Sequence, residues 1–311
     1  VLPKLIQGIR KQNRLAISRG ITLIENSRED GQELLSNLYK YTGNIFRIGI
    51  TGPPGAGKSS ITNNLISLYR TRGKKVAVIA VDPTSPFSGG AVLGDRIRMT
   101  SHFSDPHVFV RSMATRGGQG GLSLKSQAVS EVFDSAGFDI VIYETVGVGQ
   151  IELDVMQASD TVVVVLVPES GDEVQMLKAG LMEIGNIFII NKADRPGSNK
   201  FMISLKNMLS IHSVDSREWM PRAIHSVATQ NKGTNNLYDL IESHKAFIDK
   251  QGIQRDKLDE RYKRHITDLI TKRYIKNFWN DQKSSRLLNE LQKEHGKRTS
   301  PYKLVNELMK Q

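Results

Sequence analysis

The spacing of apolar positions divides this 311-residue chain into three stretches. In residues 1–42, Leu5, Ile6 and Ile9, then Leu15, Ile17, Ile21 and Ile24, recur at helical steps, with Gly20, Gly31 and Gly43 expected as breaks. This N-terminal helical segment carries no candidate chemistry. Residues 43–250 alternate strand and helix. Their apolar runs are short and rich in branched side chains: Ile45–Ile50, Lys75–Val81, His107–Arg111, Phe138–Tyr143, Thr161–Val167, Asn186–Ile190 and Arg222–Val227. Helical patterns separate most of them, which predicts an α/β fold with a mostly parallel, doubly wound central sheet. Residues 251–311 return to helix. Leu258, Tyr262, Ile266, Leu269, Ile270, Tyr274, Ile275 and Phe278, with Trp279, form an aromatic-rich stripe on a charged helix. Such a stripe packs on the chain's own α/β domain or forms a subunit interface, because an extended arm cannot bury it alone.

In a parallel sheet of this kind, ligands sit beyond the carboxyl ends of the strands. The polar motifs fall there. After the first strand comes Gly52-Pro53-Pro54-Gly55-Ala56-Gly57-Lys58-Ser59, which fits G-x-x-x-x-G-K-[ST]. Ile61, Leu65, Leu68 and Tyr69 then mark one face of a helix, so the motif lies between a strand and a helix N-terminus, as a phosphate-binding loop must. Backbone N–H groups of the Gly52 to Ser60 loop, other than at Pro53 and Pro54, can cradle phosphates, Lys58 can reach the β and γ phosphates, and the Ser59 hydroxyl can ligate Mg²⁺. The fold expected is that of a P-loop nucleoside triphosphatase with N- and C-terminal helical extensions.

Asn191-Lys192-Ala193-Asp194 follows the strand 186–190. It is the N-K-x-D sequence of GTPases. The Asp194 carboxylate can accept from both guanine N1–H and the 2-amino group, a pairing adenine does not offer. Asn191 would brace the loops, and the Lys192 stem would cover the base. Ser226-Val227-Ala228 resembles the loop whose backbone N–H contacts the guanine oxygen. Glu144-Thr145-Val146-Gly147 closes the strand 138–143, with Glu144 expected to hold Mg²⁺ and the Gly147 N–H to face the γ-phosphate. Asp95 is a third candidate metal ligand. Asp82, at another strand end, is the candidate general base, although Asp-Pro also starts turns without any catalytic role. The loops 85–95, 145–150 and 168–180 are candidate switches, with Lys178 in the third. Arg96, Arg98 and Arg116 are candidates for stabilising transition-state charge, and equally for surface or domain contacts.

Composition narrows the picture. Cys is absent, which removes disulfides, thiolate metal sites and a cysteine nucleophile and fits a reducing, cytoplasmic setting. No apolar run reaches the length of a membrane span, and the first ten residues lack a signal peptide's apolar region. Starting at Val1 rather than Met leaves room for an upstream segment. The formal net charge is +11, and in residues 241–311 there are 17 Lys and Arg against 10 Asp and Glu. Both signs interleave there with the apolar face, so the reading is a solvated helix surface, with neither nucleic acid nor membrane as partner.

Asp82-Pro83-Thr84-Ser85-Pro86, Ser88-Gly89-Gly90, Leu93 to Met99, Thr115-Arg116-Gly117-Gly118, Glu144 to Gln150, Gly171-Asp172-Glu173 and Lys178-Ala179-Gly180, with Asn191 to Asp194, resemble one family over roughly residues 44–250. It is the MeaB/ArgK family, within the subgroup of P-loop GTPases whose third motif begins with glutamate where Ras-like proteins have aspartate. The resemblance implies a Mg²⁺-dependent GTPase with GTP or GDP as bound nucleotide and a homodimer built through the C-terminal helices. It also implies a chaperone role, gating adenosylcobalamin loading of methylmalonyl-CoA mutase, or of a related cobalamin-dependent acyl-CoA mutase, and protecting the loaded enzyme. Lys178 is singled out by the same resemblance. Rival readings are a nickel-insertion GTPase, a transport-associated small-molecule or protein kinase, and a partner-binding module whose nucleotide state matters more than turnover. The seven His residues show no ligand spacing, and N-K-x-D argues against ATP.

Overall fold

The computed structural model describes residues 2–26, 29–82, 102–114, 121–145, 147, 156, 158–168, 181–212 and 219–310. The chain divides into two compact units, Val1–Lys257 and Leu258–Gln311.

The first unit is built on seven strands, β1 (Phe46–Thr51), β2 (Val76–Asp82), β3 (Val108–Ala114), β4 (Ile140–Thr145), β5 (Thr161–Leu166), β6 (Ile187–Ile190) and β7 (Arg222–His225). Among the described residues every pairing of these strands is parallel, in the order β3-β2-β4-β1-β5-β6-β7. The seven runs expected from the pattern are these seven strands. β3 continues three residues past Arg111, to Ala114. β7 stops at His225, and Val227 pairs instead across a short turn with Lys232.

Alternate residues of each strand feed two separate cores, because successive side chains point to opposite faces. On one face, Ile79, Val141, Tyr143, Val164 and Leu166 pack with helices α1 (Leu2–Arg10), α2 (Arg14–Asn26), α3 (Glu29–Leu38) and α5 (Gly121–Ser135). On the other, Ile48, Ile50, Val78, Ile142 and Val163 pack with α4 (Lys58–Thr71) and α8 (Thr234–Lys250). The short α6 (Leu181–Ile184) and α7 (Ser198–His212) join the first face. The N-terminal helices therefore share one core with the sheet. Gly20 and Gly31, expected as breaks, lie inside α2 and α3. A Cβ on Gly20 would stand 2.9 Å from Ile9 Cδ1, and one on Gly31 would stand 3.1 Å from the Ile24 backbone, so both glycines serve close helix packing. Gly43, at φ +110°, does interrupt the chain before β1.

Where the chain enters β1, the buried Asp134 carboxylate accepts from the backbone N–H of Gly43 (2.7 Å), Asn44 and Ile45 (both 3.1 Å). Mid-strand, Gly49 leaves room on the first face for Met156 and Ser159. An added Cβ would meet Met156 Sδ at 2.5 Å. That seats the chain returning from the end of β4 directly on the central strand. His244 on α8 lies against Thr161 (Oγ1 to Nδ1, 2.7 Å) and the edge of Trp219, and burial pushes it down to about 4. It stays neutral through the physiological range.

The second unit begins within α9 (Ile253–Phe278) and continues as α10 (Asp281–Leu291) and α11 (Pro301–Lys310). Asn280 caps α10 by accepting from Lys283 N at 2.9 Å. The hairpin between α10 and α11 is tied by Glu290, which accepts from Lys293 Nζ and Arg286 Nη1, both at 2.8 Å, and from Thr299 N at 3.0 Å. The Lys293 ammonium, with the Thr299 N–H, holds that carboxyl down to about 2. The apolar stripe of α9 is exposed at Tyr262, Ile266, Leu269, Ile270, Tyr274 and Ile275, as is Trp279 just beyond it. Among the described residues no helix is long and apolar enough to cross a membrane.

Candidate functional site

Because all seven strands run the same way, the loops after β1, β2, β4, β6 and β7 emerge at one edge of the sheet. Each carries a motif picked out from the sequence.

The loop after β1 turns on glycines whose places no other residue could take. Gly52 has φ +145°, and a Cβ there would lie 2.0 Å from the Val165 carbonyl oxygen of the neighbouring strand. Gly57, at φ +92°, is the N-cap of α4, and a Cβ would lie 2.3 Å from Asn191 Nδ2. An αL conformation with contacts this close demands glycine. Gly52, Pro53 and Ala56 are buried, while Pro54, Gly55 and Ser60 face solvent. Lys58 folds back over the loop and is only 6% exposed. Its Nζ donates to the Gly52 carbonyl at 2.8 Å and the Pro53 carbonyl at 2.9 Å. The ammonium is thereby fixed at the mouth of the loop.

One residue further along the helix, Ser59 Oγ donates to Glu144 Oε1 at 2.5 Å. Both side chains are buried, and 85 residues of chain separate them. β1 and β4 are direct neighbours, with Ile50 paired to Glu144, so strand register delivers the carboxylate to the loop. Thr145 and Thr51 extend the contact. Their hydroxyls both donate to the Gly147 carbonyl, at 3.1 and 3.2 Å, which holds the Gly147 peptide against the end of β1. A hydroxyl and a carboxylate in contact beside a helix N-terminus make a hard-oxygen donor set of the kind Mg²⁺ takes.

The motifs after β6 and β7 meet the same loop. Asn191, 3% exposed, donates from Nδ2 to the Ala56 carbonyl at 2.8 Å and accepts at Oδ1 from Ala228 N at 3.1 Å. The expected bracing by Asn191 is thus a bridge from phosphate loop to the Ser226–Ala228 turn. Ala193 N donates to the Ser226 carbonyl at 3.0 Å, Ser226 N to the Ile190 carbonyl at 2.9 Å, and Ser226 Oγ to the Lys232 carbonyl at 3.0 Å. Lys192 sits at φ +55°, a left-handed conformation rare for a side chain of this size, and Asp194 follows it at the exposed rim. Non-glycine residues in that region concentrate at ligand sites.

Asp82 ends β2 at the same sheet edge, paired in register with Ala114. Its side chain lies outside the described set. So do Asp95, Lys178, Arg96, Arg98, Arg116 and most of the candidate switch loops. Among the described residues no group of three or more His, Asp or Glu side chains is arranged to hold a metal ion by itself. Sequence reasoning missed Asn64, whose Nδ2 donates to the Ala228 carbonyl at 2.8 Å. Its place on α4, just past Lys58, was readable, but its partner 164 residues away was not.

Comparison with known proteins agrees with this geometry. A protein of Pyrococcus abyssi that carries a GTPase name is 47% identical over 273 residues, 87% of this chain and 84% of that one. GTPase ArgK of Escherichia coli is 34% identical over 260 residues, 81% of this chain and 78% of that one. The Caenorhabditis elegans protein named methylmalonic aciduria type A homolog, mitochondrial, is 33% identical over 293 residues, 86% and 72% of the two chains. Among solved structures, the LAO/AO transport system kinase superposes with a TM-score of 0.73 at 25% identity, covering 99% of this chain and 96% of that one. The family described as methylmalonyl-CoA mutase-associated GTPase MeaB matches residues 17–283. With the phosphate loop, its Ser59–Glu144 pair and the Asn191 bridge on one sheet edge, the chain belongs to that MeaB family and is a P-loop GTPase that binds GTP and hydrolyses it to GDP and phosphate.

Proposed function

We propose that this GTPase requires Mg²⁺ and works as a chaperone of a cobalamin-dependent enzyme, gating adenosylcobalamin loading of methylmalonyl-CoA mutase and protecting the loaded enzyme. The observation that carries the chemical part is the 2.5 Å contact of Ser59 with Glu144. The client is supported by the family's description, which names the mutase, and by the C. elegans relative's name.

In this reading the backbone from Gly52 through Pro53, Pro54, Gly55, Ala56 and Gly57 to Ser60 wraps the phosphates, and Lys58 leaves its two carbonyls for the β and γ phosphate oxygens. Asp194 reads the guanine edge, Lys192 covers the base, and the turn of Ser226, Val227 and Ala228 lies beside the guanine oxygen. The N–H groups of that turn now donate to the Ile190 and Lys232 carbonyls and to Asn191 Oδ1, so that one of these bonds would be exchanged for the base. Ser59 and Glu144 hold Mg²⁺, with Asp95 as a further ligand. When bound, the ion neutralises charge on the phosphate oxygens. Gly147 offers its N–H to the γ-phosphate, Asp82 takes the proton of the attacking water, and Lys178 belongs to a loop that responds to nucleotide state. The exposed α9 stripe supports a homodimer formed through the C-terminal helices.

Glu144→Gln tests the metal arrangement. It keeps the shape and the hydrogen bond to Ser59 but removes the charge. Single-turnover GTP hydrolysis is expected to fall about a hundredfold, with the Mg²⁺ midpoint raised about tenfold and metal-free GDP binding retained. An unchanged Mg²⁺ midpoint would remove Glu144 from the metal site.

A further inference from the structure

We propose that Asn64 is a positioning residue for guanine recognition, setting the Ala228 peptide from the phosphate-loop helix. The inference rests on the base-site reading above.

Ala228 opens a single 3₁₀ turn, Ala228–Gln230, after β7. Its peptide groups are held from two sides. The N–H donates to Asn191 Oδ1 at 3.1 Å, while the carbonyl accepts Asn64 Nδ2 at 2.8 Å and Asn231 N at 3.1 Å. Asn191 in turn donates to the Ala56 carbonyl of the phosphate loop at 2.8 Å. The loop continues without interruption into α4, and α4 carries Asn64. The result is a closed circuit running from Ala56 to Asn191, to Ala228, to Asn64 and back along α4 to the loop. Two amide side chains from two different elements thus pin one residue's backbone, and that residue lies in the turn assigned to the guanine oxygen.

A closed circuit is stiffer than a single brace. Bonds of Ser226 and Val227 to Ile190, Ala193 and Lys232 hold the entry of the turn, and Asn64 is the side chain that ties the Ala228 carbonyl to α4. Asn64, bonded to the carbonyl of the same residue, fixes its far side, so Ala228 stays in place when the N–H that serves Asn191 is given up to a base. Because Asn64 stands on the helix whose N-terminus cradles phosphate, any shift of α4 on phosphate binding moves the turn with it. Asn64 therefore governs the contact at the guanine C6 position and leaves the contact at the 2-amino group to Asp194.

That division of labour can be measured by calorimetric titration of full-length protein with four probes. GDP is the reference. 6-Thio-GDP weakens only the acceptor at C6, inosine diphosphate lacks only the 2-amino group, and tripolyphosphate has no base. Asn64→Ala and the near-isosteric Asn64→Asp, which lacks the donor, are both used, so that a folding defect in one does not decide the matter. The preference for GDP over 6-thio-GDP is expected to fall about fivefold in both variants. Their preference for GDP over inosine diphosphate and their tripolyphosphate affinity should match wild type. If both variants keep the 6-thio discrimination while Asp194→Ala loses the inosine discrimination, Asn64 merely packs and the proposal is wrong. If Asp194→Ala keeps the inosine discrimination, the base-site reading fails and the role of Asn64 falls with it.

Discussion

Lys58→Ala is expected to slow single-turnover GTP hydrolysis about a thousandfold while leaving a cooperatively folded protein. The ammonium rests on the Gly52 and Pro53 carbonyls, so its removal costs the loop these two hydrogen bonds. Both carbonyls are buried, so part of the stability these two bonds supply is lost as well. The catalytic loss is much larger, since the cation is worth most where negative charge gathers between the β and γ phosphates. Arginine should not rescue it. A planar fork needs more room than a site leaving 6% of the lysine exposed, and it cannot pivot from the carbonyls to phosphate oxygens as an ammonium does. Hydrolysis within about tenfold of wild type, alongside an unaltered melting transition, would remove Lys58 from the chemistry.

The second large effect is on base choice. Wild type is expected to prefer GTP over ATP at least about a hundredfold, because a carboxylate facing the adenine edge meets no donors. Asp194→Ala should reduce that preference below about tenfold, with most of the loss on the GTP side. Asp194→Asn supplies a donor where guanine offers one and should shift preference towards xanthine nucleotides, whose 2-oxo group accepts. Asp194 is not buried, which argues that neither change unfolds the protein. Equal GTP to ATP ratios in wild type and Asp194→Ala would place guanine recognition elsewhere.

Much of this molecule is readable without its structure. Strands betray themselves by short branched runs such as Val162 to Val167, and motif residues by their position just past those runs. Parallel pairing follows from the helical patterns between them. What cannot be read are contacts with no local period. Nothing near Gly49 announces that Met156 and Ser159 will sit on it, since that glycine looks like any small residue in a strand. Gly20 and Gly31 mislead for a related reason. A glycine inside a helical pattern reads as a break unless the neighbouring helix that needs the space is known. Asn64 is the most telling case. An asparagine on an amphipathic helix is ordinary, and only tertiary structure shows that its amide meets a carbonyl 164 residues later. The Ser59–Glu144 contact lies between these extremes. Each residue stands out as a candidate metal ligand, yet their meeting depends on β1 and β4 being neighbours, and strand order is not written in the pattern.

The same geometry suggests how hydrolysis reaches a partner. Glu144 and Gly147 stand at one end of the segment whose Met156 and Ser159 are seated on the central strand, so under the proposed reading loss of the γ-phosphate would be felt there. A nucleotide-dependent change there is the form a chaperone's signal to its client would take. The direct test is capture of purified methylmalonyl-CoA mutase by the immobilised protein, in its GDP state and with a non-hydrolysable GTP analogue. The account predicts that the mutase is retained and that affinity differs at least about fivefold between the two states. Failure to retain the mutase in either state would contradict it.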